Sequence, residues 1–262
     1  MNEPMKITSL QNERVKRMVA LSQKSALRRS EGVIVVEGQR ELEHCIHAGH
    51  EVVAMYHCPT LLEWAPACDS PCFEVTREVY EKMAYRGSTE GVIAEVRPRQ
   101  LTLGDLPLSQ TPLVIVLEAV EKPGNLGAIL RSADAAHADA VVVCDPLTDL
   151  YNPNIIRSSI GAVFTVPCVA CTSQECISHL KANNIQILTA QLQDSLPYYD
   201  TDMRRGTAIV MGTESTGLSQ QWRDAADRHI RIPMNGQLDS LNVSVSAAIL
   251  LFEAVRQRVS RL

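Results

Sequence analysis

The second half of the chain alternates short apolar runs with segments of helical periodicity. The predicted strands lie at residues 113–120, 140–146, 163–170, 185–190, 207–213 and 228–234. Several of these runs are apolar without interruption, which is typical of strands that are buried on both faces. Their alternation with helices predicts an α/β fold in which helices cover both sides of a parallel sheet. In such a sheet, ligands bind beyond the carboxyl ends of the strands.

The first hundred residues show a different pattern of predicted helices and strands. Helices are predicted at residues 8–30, 40–49 and 76–84, and strands at residues 32–38, 51–56 and 91–96. These elements predict a small α/β unit, and the aperiodic, proline-containing segment after them is interpreted as a linker. The predicted boundaries are 1–98 for the first domain, 99–111 for the linker and 112–262 for the second domain.

The last predicted helix is apolar on two sides. One stripe contains Val245, Ala248, Phe252, Val255 and Val259, and the other contains Val243, Ala247, Leu250, Leu251 and Ala254. A helix with two apolar stripes is buried along both of them. The sheet can cover one stripe, and a second copy of the same helix across a two-fold axis can cover the other. The pattern therefore predicts a homodimer.

Charge is distributed unevenly along the 262 residues, whose formal net charge is −5. The chain as a whole does not indicate nucleic-acid binding, yet the first thirty residues are basic. A local basic patch is what a polyanion such as RNA contacts, although a solvated helix face explains the same pattern. The candidate RNA contacts are Arg14, Lys16, Arg17, Arg28 and Arg29 in this segment and Arg40 in the next predicted helix.

The N-terminus is polar and does not resemble a secretory signal, and no apolar run reaches membrane-spanning length. We therefore expect a cytoplasmic protein whose eight cysteines are free thiols. Cys168 and Cys171 form a C-x-x-C pair with Cys176 nearby, but neither a second such pair nor a spaced histidine pair accompanies them. Because structural zinc sites need four ligands, we predict buried or incidental thiols and no metal site.

Three segments with unusual residues follow predicted strands. In the first, four apolar residues share one helix face: Leu126, Ile129, Leu130 and Ala133. Arg131 lies well off that face and is free to point into a crevice, although an ordinary surface arginine also fits the spacing.

The second segment, residues 210–219, contains Gly212 and Gly217 and looks at first like a phosphate-binding loop. That loop requires lysine after its second glycine, where this chain has Leu218. Nucleoside-triphosphate chemistry is therefore disfavoured, and so is ordinary dinucleotide chemistry, because no G-x-G-x-x-G run follows a strand. Glu214 remains as a carboxylate that can cap the next helix or hold a neighbouring loop.

The third segment leads into the last helix through Ser240 and Asn242. Together with the main-chain amides of the helix start, these side chains form a hydrogen-bonding floor beside an apolar wall. Such a floor suits an amphipathic ligand that is part adenine and part sulfur or methyl.

Taken together, the three segments resemble the SpoU (TrmH-like) family of RNA 2′-O-ribose methyltransferases, within the SPOUT superfamily. The Asn-Leu-Gly-x-Ile-x-Arg run of that family is similar to residues 125–131, and its Gly-x-Glu-x-x-Gly-Leu-Ser run to residues 212–219. Its third motif, Ile-Pro-Met followed by Ser-Leu-Asn-Val-Ser, is similar to residues 232–234 and 240–244. Lys122 stands where many members have aspartate, which concerns substrate contacts rather than the chemistry.

The resemblance covers residues 113–262 and includes the segment 151–164. The residues before it are similar to the L30e-like substrate-binding domain of many members. For the second domain, the resemblance implies a deep trefoil knot, a homodimer and S-adenosylmethionine bound in a pocket that the knot forms. The residues implied to line that pocket are Thr189, Ala190, Gly212, Ile232, Met234 and Leu241.

The resemblance also implies a reaction in which a ribose 2′-hydroxyl attacks the sulfonium methyl in a single displacement, with no metal. Arg131 matches the catalytic arginine of the family. A guanidinium stays protonated in proteins, so we expect it to bind the adjacent phosphate and stabilise the developing alkoxide rather than act as a base. The residues expected to position Arg131 and the ribose are Asn125, Glu214, Ser240 and Asn242, and Arg157 is expected to contact an RNA phosphate.

The predicted function is 2′-O-methylation of structured RNA, with 23S rRNA as the expected substrate and tRNA as the alternative. A non-catalytic RNA-binding or assembly protein with a retained cofactor pocket is the second alternative. It is disfavoured because Arg131 and Asn125 are both present. An enzyme of small nucleotides would leave the basic first helix without a role.

Overall fold

The computed structural model describes residues 5–63, 69–85, 90–213, 216–237 and 240–259. The chain divides into two compact units, one of residues 1–99 and 151–165, the other of residues 100–150 and 166–262. The boundaries predicted from the sequence place residues 151–165 in the second domain, whereas these residues pack within the first unit. Ile155, Ile156 and Phe164 are buried there, and the ring of Phe164 lies 5.2 Å from that of His50.

The described residues of the first unit form a five-stranded sheet and six helices. Its elements are β1 (Met5–Ile7), α1 (Glu13–Gln23), α2 (Ser25–Glu31), β2 (Ile34–Glu37), α3 (Gln39–His47), β3 (Glu51–His57), β4 (Cys72–Val75), α4 (Arg77–Met83), β5 (Val92–Arg97), α6 (Pro153–Ser158) and α7 (Ala162–Thr165). The strand order is β1-β4-β3-β5-β2. β5 is antiparallel to both β2 and β3, and β4 is parallel to both β1 and β3.

The N-terminal helical segment differs from the single helix predicted at residues 8–30. Asn12 begins α1, because its side-chain oxygen accepts a hydrogen bond from the amide of Arg14 at 2.9 Å. Lys24 is extended, with φ −114° and ψ 103°, and separates α1 from α2. The break turns Leu27 and Arg28 back toward the core of the first unit, against which Leu27 packs.

The second unit contains α5 (Pro123–Ala135), α8 (Ser173–Ala182), α9 (Gln220–Ala225) and α10 (Val243–Val259). Its seven strands are β6 (Leu113–Glu118), β7 (Ala140–Cys144), β8 (Cys168–Cys171), β9 (Gln186–Ala190), β10 (Leu196–Pro197), β11 (Thr207–Met211) and β12 (Arg228–Arg231). Every pairing is parallel and the strand order is β10-β12-β9-β11-β6-β7-β8. The predicted parallel α/β sheet is therefore confirmed. The strand predicted at residues 163–170 is shorter, since α7 ends at Thr165 and the sheet resumes only after Pro167.

Helices cover both faces of the parallel sheet. α8 and α9 pack on one face, where Trp222, Leu180 and Ile177 meet alternate residues of β6 and β7. α5 and α10 pack against each other and on the strands from the other side. Among the described residues, no helix combines the length and the apolar character that a membrane span requires.

The two predicted stripes of α10 have different environments. The stripe with Val243, Ala247 and Leu250 is buried within the second unit. In the other stripe, Val245 and Phe252 are each 47% exposed. Within the described residues, the chain thus covers only one of the two stripes.

Candidate active site

A cavity of about 450 Å³ lies at the carboxyl edge of the parallel sheet. Its walls come from the ends of β9, β11 and β12, from the loop after β11 and from the start of α10. This volume is in the range of small-molecule sites. Five of the six residues predicted to bind a cofactor line it: Ala190, Gly212, Ile232, Met234 and Leu241.

The sixth predicted residue, Thr189, does not line this cavity. Its side chain is fully buried, and its hydroxyl lies 2.6 Å from Nδ1 of His229 on the neighbouring strand. The Thr189 side chain therefore joins β9 to β12 and does not line this cavity.

Gly212 allows the loop after β11 to fold back on itself. A Cβ atom at this position would lie 2.3 Å from the carbonyl carbon and oxygen of Gly217 and 2.6 Å from the amide of Leu218. Thr213 and Gly217 exchange two main-chain hydrogen bonds, of 3.2 and 3.1 Å, which close the loop. Gly217 has φ +68°, a conformation that favours glycine. Both glycines of this motif are thus required by the shape of the cavity wall.

Asn242 connects the start of α10 to the start of α5. Its side-chain oxygen accepts hydrogen bonds from the amide of Ser244 at 2.9 Å and from the Ser244 hydroxyl at 2.6 Å. Its side-chain nitrogen donates to the side-chain oxygen of Asn125 at 3.1 Å. The structure therefore brings together two residues that were predicted to position the substrate from opposite ends of the second domain.

A smaller cavity of about 120 Å³ adjoins the larger one. It shares Gly212, Thr213 and Val243 with that cavity and is lined on its other side by Lys122 and Asn125. The two cavities therefore meet at Gly212, next to the hydrogen bond between Asn125 and Asn242.

Arg131 is exposed on α5, and it is not among the residues that line either cavity. In the part of the chain that the structure describes, no salt bridge engages its guanidinium. The predicted apolar face of α5 is confirmed, since Leu126, Ile129 and Leu130 are fully buried. Arg131 projects away from that face and is available to an external anion.

The remaining predicted residues of this group are Ser240 and Glu214. Ser240 is exposed and lines the larger cavity. Glu214 lies outside the described residues.

A buried carboxylate outside the predicted site residues holds the loop after β11 in place. Glu118 ends β6, is 6% exposed and accepts a hydrogen bond from the amide of Ser219 at 2.8 Å. The hydroxyl of Ser173 donates to Asp145 at 2.6 Å and accepts from the indole nitrogen of Trp222 at 2.9 Å. The same hydroxyl lies 3.5 Å from the other carboxylate oxygen of Glu118. In the sequence, Glu118 is recognisable only as the single charged residue that ends the apolar run of β6.

The predicted RNA contacts of the first unit fall into different environments. Lys16 and Arg29 are exposed, and Arg14 is exposed with its guanidinium 4.4 Å from the centre of the Phe73 ring. Arg17 pairs with Glu31 and with the buried Glu95. It therefore fixes the fold of this unit in addition to any external role.

Arg28 is only 4% exposed, and its guanidinium donates to the main-chain carbonyls of Leu21 and Ser22. Its prediction as an RNA contact is not retained, because a buried side chain that closes a helix end cannot reach a phosphate. The break between α1 and α2, which the sequence pattern did not show, accounts for the difference.

Arg40 and Arg157 lie in one cavity of the first unit, about 260 Å³ in volume. Both side chains are exposed. Glu37, Glu41 and Glu90 line the same cavity, and Arg40 lies 3.6 Å from Glu41. The arrangement offers two guanidinium groups close together, although each has carboxylates near it.

Comparison with known proteins defines the class of this chain. Residues 112–252 match the SpoU rRNA Methylase family, and residues 12–94 match the MRM3-like substrate binding domain. The chain is similar to the 23S rRNA (guanosine-2′-O-)-methyltransferase RlmB of Vibrio vulnificus (strain CMCP6), with 37% identity over 193 residues, 71% of this chain and 78% of the relative.

Two solved structures extend the comparison to the whole fold. A crystal structure of an RNA 2′-O ribose methyltransferase has 39% identity and a TM-score of 0.84 over 97% of this chain and all of the other. The AdoMet-bound rRNA methyltransferase from Sinorhizobium meliloti has 27% identity and a TM-score of 0.89 over 97% of this chain and 98% of the other. Fold and site together define a methyltransferase domain joined to a substrate-binding domain.

The chain belongs to the SpoU rRNA Methylase family. The resemblance drawn from the sequence motifs is thereby confirmed. The match of residues 12–94 to the MRM3-like substrate binding domain likewise confirms the predicted substrate-binding domain before it.

Proposed function

We propose that this protein transfers a methyl group from S-adenosylmethionine to a ribose 2′-hydroxyl of structured RNA, with 23S rRNA as the substrate. The observation that carries the proposal is the cavity at the carboxyl edge of the sheet, bordered by the hydrogen-bonded pair of Asn125 and Asn242. It is supported by the AdoMet-bound structure of similar fold and by the 23S rRNA named for the Vibrio relative. Such a substrate corresponds to a cytoplasmic location.

The residues of the larger cavity fit S-adenosylmethionine. Leu218, Ile232 and Leu250 give it apolar walls, and the ends of three strands present main-chain groups between them. An adenine ring and a methyl group suit the former, and the polar atoms of the ligand suit the latter. When bound, S-adenosylmethionine supplies an electrophilic methyl group on a sulfonium sulfur. The residues that would hold it are Ala190, Gly212, Ile232, Met234 and Leu241.

Arg131 is proposed to act on the RNA rather than on the cofactor. Its guanidinium can bind a phosphate through two parallel hydrogen bonds and stabilise negative charge that develops on the attacking oxygen. The amide pair of Asn125 and Asn242, with Ser240 and Glu214, would orient the ribose. Because Asn242 also caps α10, its position is fixed before any substrate binds.

The first domain is proposed to bind RNA. Lys16, Arg14 and Arg29 present exposed positive charge, and Arg40 and Arg157 add two exposed guanidinium groups beside three carboxylates in the same unit. We propose residues 1–98 as this domain, residues 99–111 as the linker and residues 112–262 as the knotted methyltransferase domain, whose segment 151–165 packs within the first unit. The match of residues 12–94 to a substrate binding domain supports this division of roles.

The proposed function is tested by methyl transfer from labelled S-adenosylmethionine into total RNA from a strain that lacks this protein, followed by nuclease mapping. We expect label in one 2′-O-methylated nucleotide of 23S rRNA. Label in tRNA would overturn the proposed substrate and keep the chemistry. The absence of label in both naked RNA and ribosome assembly intermediates, with the cofactor shown to bind, would favour a non-catalytic assembly protein.

We also propose that the protein is a homodimer through the methyltransferase domain. The uncovered stripe of α10 includes Val245, Phe252 and Val259, which are 47%, 47% and 61% exposed. Apolar residues repeated along one helix face are typical of an interface with a second copy of the helix.

Phe252→Asp is expected to convert the dimer to a monomer, because a charge on this stripe would have to be buried without a partner. Sedimentation equilibrium measures the change. The matched control is Leu147→Asp, at an apolar position of the second unit that is 63% exposed and far from α10 in sequence. A Phe252→Asp protein that stays dimeric, or a Leu147→Asp protein that dissociates equally, would contradict the proposed interface.

A further inference from the structure

Three cysteines meet at the carboxyl edge of the parallel sheet, outside the cavities described above. Cys144 ends β7 and Cys171 ends β8, and the two are direct partners in the register of these parallel strands. Cys176 lies in the first half of α8. The three sulfur atoms all lie within 4.8 Å of one another.

We propose that Cys144, Cys171 and Cys176 form a binding site for a thiophilic metal ion of the zinc type. Three thiolates at zinc–sulfur distances of about 2.3 Å would be separated by about 3.8 Å in tetrahedral geometry. The side chains therefore need to approach by no more than about 1 Å to bind the ion. Two strand ends and one helix supply the ligands, so secondary structure already holds their backbones together.

The three thiols are not equally buried, which leaves one side of the cluster open for a metal ion to enter. Cys144 and Cys176 are buried, and Cys171 is half-buried. A metal ion would enter past Cys171, and a water molecule on the same side could complete four-fold coordination.

The electrostatic surroundings favour a cation. The carboxylates of Glu175 and Asp145 lie close enough to Cys171 to act on its sulfur through Coulomb interactions. Asp145 is held by the hydroxyl of Ser173 at 2.6 Å. Cysteines that react with oxidants sit in positively charged surroundings, whereas two carboxylates beside a thiolate attract a metal ion.

The cluster differs from the C-x-x-C pair that the sequence offers. Cys168 and Cys171 are three residues apart on one strand, so their side chains point to opposite faces of the sheet. The third ligand comes instead from Cys144, on the neighbouring strand. Cys168 is therefore a matched control, because it is a buried cysteine of the same strand outside the cluster.

The test uses the full-length reduced protein under anaerobic conditions and Co²⁺ as the probe. We expect one equivalent of Co²⁺ to bind with an intense thiolate-to-cobalt charge-transfer band, and Zn²⁺ to displace it. Binding should release thiol protons to the buffer. The band should be lost in Cys171→Ser and retained in Cys168→Ser. Cofactor binding by both variants verifies that they are folded.

The wild-type protein alone also decides the question, through X-ray absorption at the zinc edge. Three sulfur neighbours at about 2.3 Å are expected. Absence of a charge-transfer band in the wild type, an undiminished band in Cys171→Ser, or fewer than three sulfur neighbours would each overturn the site. So would conversion of two of these thiols to a disulfide under mild oxidation without any uptake of metal by the reduced protein.

Discussion

Replacing Arg131 by alanine is expected to slow methyl transfer by about a hundredfold to a thousandfold, the range found when one preorganised donor to a developing negative charge is removed. Cofactor affinity should stay the same, because Arg131 lies on the exposed side of α5 and does not line the larger cavity. Single-turnover transfer to saturating RNA and calorimetric titration with S-adenosylmethionine measure the two quantities separately.

Two further variants show whether the geometry of the guanidinium is responsible. Arg131→Lys keeps the charge but loses the planar fork, so its rate should fall between those of wild type and Arg131→Ala. Arg204→Ala removes an exposed arginine at the opposite, amino edge of the sheet and should leave the rate unchanged. Wild-type turnover in Arg131→Ala would remove this residue from the mechanism.

Gly212→Ala is expected to weaken cofactor binding by about tenfold to a hundredfold, since relieving a steric overlap of this kind costs about 1–3 kcal/mol. The added methyl group would lie 2.3 Å from main-chain atoms of Gly217 and would push the loop out of its closed form. Equilibrium binding of S-adenosylmethionine measures the effect.

Gly124→Ala is the matched control for this substitution. A Cβ atom at Gly124 would meet no atom within 4 Å, so cofactor affinity should remain at the wild-type value. Equal affinities for wild type and Gly212→Ala would show that the loop tolerates displacement and that it does not shape the cofactor site.

The sheet of the second unit could be predicted because its strands are apolar on both faces. β6 and β7 appear in the sequence as uninterrupted runs, and their burial in the structure is complete. The motif residues could be predicted for a different reason, since Gly212 and Asn125 belong to runs with a family pattern. Their contact partners were not predictable, because Asn242 meets Asn125 only after the whole domain has folded.

The structure differs from the sequence pattern at two places where tertiary contacts determine the conformation of the chain. The periodicity of residues 8–30 continues through Lys24, yet the chain is extended there and Arg28 turns inward to bind main-chain carbonyls. The segment 151–165 carries family motif residues, but its apolar side chains are buried against the first unit. The spacing of apolar residues does not show that the helix breaks at Lys24. It also does not show whether residues 151–165 pack on the first or on the second unit.

The sequence also did not show which side chains meet because their strands are neighbours in the sheet. Glu118 and Ser219 are far apart in the chain and meet because β6 and β11 are paired. Cys144 and Cys171 are brought together in the same way by β7 and β8. Parallel pairing joins distant segments, so clusters at a carboxyl edge become visible only when the strand order is known.

The strand order also sets when the protein can become active during its synthesis. β6, β7 and β8 are adjacent in the sheet and are made first, whereas β9, β11 and β12, which wall the larger cavity, follow them. α10 follows all of the strands and supplies the wall containing Val243 and Leu250. A nascent chain can therefore pair three of the seven described strands of this sheet early, but the larger cavity is not complete until α10 has left the exit tunnel. Methyl transfer therefore has to wait until α10 has been made, and a chain interrupted before α10 would lack one wall of the larger cavity.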